Sequence, residues 1–107
     1  SNQWIYHGRK LRWNEPLYQP LRELLKDVHA RYGRPVIISE TGTEGKERPH
    51  WFTYVAEEVA AAIQAGVPVD GVCLYPILNH PGWDNDRHCP NGLWDYADEH
   101  GEHKDCD

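Results

Sequence analysis

Methionine is absent from the 107 residues, phenylalanine occurs once and cysteine three times. A chain without methionine reads as a piece of something longer. No apolar run approaches the ~20 residues of a membrane helix, and no stretch has the pattern of a signal peptide, so a spanning segment is excluded from this reading. Basic residues are few and scattered, 11 against 17 acidic, and the net charge is −6. That balance argues against a nucleic-acid partner, which needs a cationic face. Cys73, Cys89 and Cys106 are odd in number and lack framework spacing, which fits a reducing cytoplasm better than a stapled secreted domain. Neither a Cys-x-x-Cys nor a His-x-x-x-His is present. His80, His88 and Cys89, and the tail residues His100, His103 and Cys106, therefore read as solvated side chains rather than zinc ligands, and no metal or cofactor is expected.

What is present is enough apolar residue, 39%, for one compact partial domain, together with five Trp and six Tyr. Flat aromatic faces pack well on the C–H faces of sugar rings, although core and rim positions account for most of them. Residues 1–19 show no sustained period and read as an irregular lead-in. From Pro20 the pattern is helical: Leu21, Leu24, Leu25, Val28 and Tyr32 form an apolar stripe, Gly33 stops it, and Arg22, Glu23, Lys26 and Asp27 face solvent. Val36-Ile37-Ile38 is then a buried strand that delivers Glu40 at its tip, where Thr41-Gly42 turns the chain. Pro49 opens a second helix with Phe52, Val55, Ala56, Val59 and Ile63 as its stripe and Gly66 as its stop. Val69 to Tyr75 is a second strand.

Helix, strand, helix, strand over residues 20–75 implies an α/β arrangement of parallel strands joined by a right-handed crossover. Residues 76–96 form a long loop with a short final element at Leu93-Trp94-Asp95-Tyr96, and a connection of that length is usually functional. Within it Arg87 is expected to pair with, or cap turns near, Asp84 or Asp86. Residues 97–107 are a polar tail expected to fray.

Val36-Ile37-Ile38-Ser39-Glu40-Thr41-Gly42 resembles the seventh-strand nucleophile motif of the clan A glycoside hydrolases. Gly71 to Trp83 and Asn91 to Tyr96 resemble the eighth strand and its loop in family 1, the β-glucosidase family. The resemblance implies a C-terminal fragment of a TIM (β/α)8 barrel, its last two strands with their helices, with Ser1 to Trp4 as the tail of the loop after the sixth strand. It implies a retaining hydrolase of a β-glycosidic bond, with Glu40 as nucleophile and Tyr75, Asn79 and Trp83 against the sugar. Thr41 stands where the family has Asn, Tyr75 where it has Trp, and Gly82 where it has a sugar-binding Glu, so a standard glucoside or galactoside specificity does not carry over. Asn14-Glu15-Pro16 looks like the motif of an acid/base glutamate. However, Lys10-Leu11-Arg12-Trp13 is too polar for the buried strand that motif requires, and Glu15 reads as a solvated loop residue.

An ionised Glu40 calls for a cation or hydrogen-bond donors nearby, with Tyr and Arg side chains as the candidates. A carbohydrate-binding or structural descendant without turnover is the alternative to a hydrolase. Two strands alone leave a sheet face and both edges uncovered, so the isolated chain is expected to be inactive and to self-associate or pair with the rest of its barrel.

Overall fold

The structure is a computed structural model that describes residues 5–12 and 14–106. The readings made for Ser1 to Trp4 and for Trp13 lie outside the described residues. In order the elements are β1 (Ile5–Tyr6), β2 (Arg9–Lys10), α1 (Leu21–Tyr32), β3 (Val36–Thr41), a 3-10 turn (Gly45–Glu47), α2 (Arg48–Gln64), β4 (Val69–Leu74), β5 (His80–Pro81), β6 (His88–Cys89), β7 (Trp94–Ala97) and β8 (His103–Asp105). They pack as two units, one of residues 1–36 and 57–69 and the other of residues 37–56 and 70–107.

In the first unit the lead-in is less irregular than its sequence suggests. β1 and β2 form an antiparallel hairpin, Ile5 beside Lys10 and Tyr6 beside Arg9. His7 and Gly8 turn it with φ of 48° and 75°, the left-handed pair that a two-residue hairpin loop requires. Strands of two residues are too short to show a period. After the hairpin, Glu15 takes both guanidinium nitrogens of Arg9, at 2.9 and 2.8 Å, and the Arg12 N–H at 2.9 Å. These donors hold its carboxyl at about 2, against an ordinary 4.5.

Pro20 offers α1 no side-chain cap. The cap comes from far along the chain, because Glu58 accepts the Arg22 N–H at 3.0 Å and the Arg22 guanidinium at 2.9 and 2.7 Å. A carboxylate at a helix N-terminus satisfies an orphan donor and suits the helix dipole. This corrects the reading of Arg22 as a solvent residue, and it explains how Glu58 comes to be buried. Gly33 ends α1 in the left-handed conformation, its N–H on the His29 carbonyl at 2.7 Å. At the other helix end Gly66 donates to Ile63 and Val67 to Ala62, both at 3.0 Å, a Schellman closure that buries Val67. Leu11, Leu25 and Ala62 complete the unit's buried apolar residues.

The expected apolar stripe of α2 is rotated in the fold. Val55, Glu58 and Ala62 are buried, whereas Phe52 and Ile63 stay about half exposed, at 51% and 50%.

β3 and β4 are neighbours in a sheet of two strands. Val36 donates to the Pro68 carbonyl and Tyr75 to the Thr41 carbonyl, both at 2.9 Å. Bonds that advance in the same sense on both strands belong to a parallel pair. They set Val36 beside Val69 at one end and Gly42 beside Tyr75 at the other. The segment after Tyr75 also holds more structure than its sequence shows. β5 pairs with β6, His80 beside Cys89, and β7 pairs with β8, Trp94 beside Asp105, so the tail expected to fray is a strand. All three residues of β8 are exposed and polar, which hides a strand from any hydrophobic pattern.

Candidate active site

Glu40 lies one residue before the end of β3. The two strands share one burial pattern, in which half-buried and exposed residues alternate until Ser39 and Glu40, and Val72 and Cys73, are exposed in succession. The alternation slips by one position at the same level in both strands. Glu40 is exposed there, while Thr41 is half buried and accepts the Trp51 indole N–H at 2.9 Å. On the neighbouring strand Leu74 is half buried and Tyr75 is exposed again. The tips of β3 and β4 are flush, held by the bond from Tyr75 to Thr41. Gly42 makes this possible, since a Cβ there would run into the Tyr75 carbonyl oxygen.

The structure thus brings Glu40 and Tyr75 to adjacent strand ends, with the Tyr75–Pro76 peptide in the cis form. The Tyr75 ring lies 6.0 Å from that of His80. His80 Nδ1 is 2.7 Å from the Pro81 carbonyl and its Nε2 is 3.3 Å from Asn91 Nδ2, contacts that the Nδ1-protonated tautomer satisfies together. Trp83 sits beyond β5 at the tip of the β5–β6 hairpin and is 86% exposed. The tip is closed by the Gly82 N–H on the Arg87 carbonyl at 2.7 Å and by the Arg87 N–H on Asn85 Oδ1 at 2.9 Å. Asn85 fills the space that a side chain at Gly82 would need.

Asn79 is placed differently from the other three. It is 5% exposed. Its amide donates to Asp95 at 3.1 Å and to Cys106 Sγ at 3.3 Å, and its Oδ1 accepts the Gly92 N–H at 2.8 Å. Both amide protons are spent on the loop, and Gly92 lies so close that a Cβ there would strike the backbone of Leu78 and Asn79. The bond from Asn79, with the Tyr96 N–H, holds the Asp95 carboxyl below its ordinary range.

Among the described residues no arginine or tyrosine reaches the Glu40 carboxylate, contrary to the expectation from its chemistry. The arginines of this region have other partners. Arg87 takes Glu44 rather than Asp84 or Asp86, at 3.0 and 2.8 Å, and Arg48 donates to the Pro90 carbonyl at 2.8 Å. The pairing with Arg87 holds the Glu44 carboxyl below its ordinary range. A cavity of about 320 Å³ lies on the α2 side, lined by Gly42, Thr43, Trp51, Phe52, Leu74 and Leu93 among others. None of Glu40, Tyr75, Asn79 and Trp83 lines it, and an apolar wall without a carboxylate has no chemistry to offer a glycoside. Among the described residues no three His, Cys, Asp or Glu side chains converge as a metal site, and no helix is long and apolar enough to cross a membrane.

No family model and no curated protein sequence matches the chain. Solved structures do. A hyperthermophilic β-glucosidase superposes with a TM-score of 0.71 at 25% identity, over 79% of this chain and 20% of its own. A family 1 β-glucosidase from Thermotoga maritima superposes with a TM-score of 0.71 at 18% identity, over 92% of this chain and 27% of its own. The chain resembles part of a family 1 β-glucosidase. The β-glycosidase from Thermosphaera aggregans adds a TM-score of 0.68 at 24% identity, over 78% of this chain and 18% of its own. The two likenesses below 25% identity concern the fold alone. This chain spans about a fifth to a quarter of the β-glucosidases it resembles.

Two features of this region escaped the sequence. The Glu44–Arg87 pair joins residues 43 positions apart, and the Pro90 carbonyl that receives both Gly45 and Arg48 is a backbone atom with no side-chain signature. A charged loop followed by a lone arginine was the one available hint.

Proposed function

We propose that this chain is the C-terminal part of a (β/α)8 barrel that cleaves β-glycosides with retention, and that Glu40 is its nucleophile. The observation that carries this reading is the flush pair of strand tips, with an exposed Glu40 near one end and Tyr75 at the other strand's end in a parallel sheet. In a barrel of parallel strands that edge is where chemistry is done. Tyr75 and Trp83 serve as aromatic surfaces for the sugar, and Asn79 holds the loop on which they depend. The acid/base carboxyl belongs to a part of the barrel that this chain does not contain, ~5 to 5.5 Å from Glu40 when assembled. Attack by Glu40 on the anomeric carbon, with protonation of the departing oxygen by that second group, gives a glycosyl-enzyme that water then opens. A cytoplasmic setting suits the three cysteines, which are free thiols.

The test is to treat the full polypeptide with 2,4-dinitrophenyl 2-deoxy-2-fluoro-β-D-glucoside and locate the adduct by mass spectrometry. A sugar on the peptide containing Glu40 supports the reading, and an adduct elsewhere sinks it. The alternative is a sugar-binding descendant without turnover. Binding of cellobiose with no labelling would select it.

The isolated chain is inactive on either reading and seeks cover for its sheet. Ile37 is 59% exposed and Val72 37%, on a sheet of two strands. Light scattering on the 107-residue chain is expected to give a mass above the monomer's, and a stable monomer would count against the barrel reading.

A further inference from the structure

Two loops leave the two strand tips, and three ties join them. The Pro90 carbonyl accepts both the Gly45 N–H and Arg48 Nη1, each at 2.8 Å. Arg87 forks onto Glu44, Nη1 to Oε2 at 3.0 Å and Nη2 to Oε1 at 2.8 Å. The first two ties end on one backbone oxygen and fix where the second loop is attached. The third has another character. Its side chains are 56% and 43% exposed, and an exposed ion pair adds little to stability. A two-pronged guanidinium–carboxylate contact does, however, fix direction as well as distance.

What it directs follows from the bonds around Arg87. The Arg87 carbonyl holds the Gly82 N–H and the Arg87 N–H holds Asn85, so the backbone of this one residue closes the tip that carries Trp83. Cys89 Sγ, buried beneath, reaches the same carbonyl at 3.6 Å. The Arg87 side chain on Glu44 adds to the Pro90 tie a second link between this tip and the loop that leaves β3. Trp83, almost wholly exposed, has little packing of its own to hold it.

We propose that the Glu44–Arg87 fork is a positioning device that aims Trp83 at the bound glycoside, so that it sets sugar affinity without taking part in bond cleavage. This rests on the glycoside reading above. Glu44 follows the nucleophile strand and Arg87 follows the aromatic one, so the fork couples the loop that begins at the reacting carboxylate to the loop that carries the sugar platform.

The experiment compares cellobiose kinetics of the full polypeptide with those of Glu44→Gln, Arg87→Gln and the charge-exchanged double variant Glu44→Arg/Arg87→Glu. Each single variant is expected to raise KM about tenfold with kcat within about twofold, and the double variant to recover most of the loss. Where the wild type binds without turnover, the cellobiose Kd from calorimetry takes the place of KM. Unchanged KM or Kd in both single variants overturns the proposal alone, as does a fall in kcat at constant KM or a double variant no better than the singles. Wild-type protein that neither binds nor cleaves any of a panel of β-glycosides, cellobiose among them, or turnover that survives Glu40→Gln, overturns the glycoside reading and this inference with it. A merely structural fork would lower the melting temperature and leave the affinity of the folded protein unmoved.

Discussion

Two glutamates of the first unit and Glu40 of the second are held in opposite ways. In the first, Glu58 receives three donors from Arg22 and Glu15 three from Arg9 and Arg12, and each ties together segments that would otherwise drift apart. In the second, Glu40 stands exposed at a strand tip, and among the described residues it has no hydrogen bond or ion pair. A carboxylate already saturated with donors has its lone pairs committed and makes a poor nucleophile. One left open is free to react, at the cost of contributing nothing to the fold. The contrast separates Glu15, in its Asn-Glu-Pro setting, from Glu40 on geometry alone.

The largest effect that tests the contrast comes from Glu40→Gln. In the full polypeptide it is expected to lower turnover of an aryl β-glucoside by at least about a thousandfold. Its melting temperature should stay where it was, because nothing in the fold leans on that side chain. A loss of stability without loss of turnover would reverse the assignment of roles. Next comes Gly42→Ala, whose added Cβ must push the Tyr75 carbonyl away and part the two strand tips. Misplacement of reacting groups by about 1 Å costs on the order of a hundredfold in rate, and steady-state kinetics on the folded variant would show it.

In the first unit the effects belong to stability. Glu58→Ala strips the N-terminus of α1 of its carboxylate cap and leaves Arg22 half buried without that partner. Chemical denaturation is expected to show a loss of about 2 kcal/mol, below the usual figure for a fully buried pair because Arg22 is partly solvated. The smallest effect is the pH dependence set by Glu15. Its carboxyl is held at about 2 in the fold against an ordinary 4.5, so the unfolded chain binds the extra proton between those values. Stability from this group is therefore whole above 4.5 and is lost as the pH falls toward 2. Glu15→Gln should flatten that part of the acid limb, and an unchanged limb would mean that the Arg9 contact is not kept in solution.

Much of the fold was legible because its signals are local. Gly33 and Gly66 end their helices where the sequence places the stops, and the run Val36 to Ile38 is a strand for the reason its β-branched residues suggest. The parallel sense of β3 and β4 followed from the helix between them. Illegible parts depend on partners distant in sequence. Arg22 reads as a solvent residue until Glu58 is brought to it. Phe52 and Ile63 read as core, yet the buried residues of α2 are Val55, Glu58 and Ala62. The strands after Tyr75 are two to four residues long and mostly polar, so no period could reveal them. For the candidate site, the motif named Glu40, Tyr75, Asn79 and Trp83 by residue type. The engagement of Asn79 with Asp95, Cys106 and Gly92 was not legible, because a motif names a residue type and says nothing of what surrounds it.

The carbonyl of Pro90 has one more implication. Substitution can change the side chain at that position but cannot remove the oxygen, so the anchorage of the aromatic loop is insulated from mutation there. The fork beside it can be severed by a single codon change at either end. The loop thus has a root that substitution cannot cut and, nearer its tip, a tie that it can.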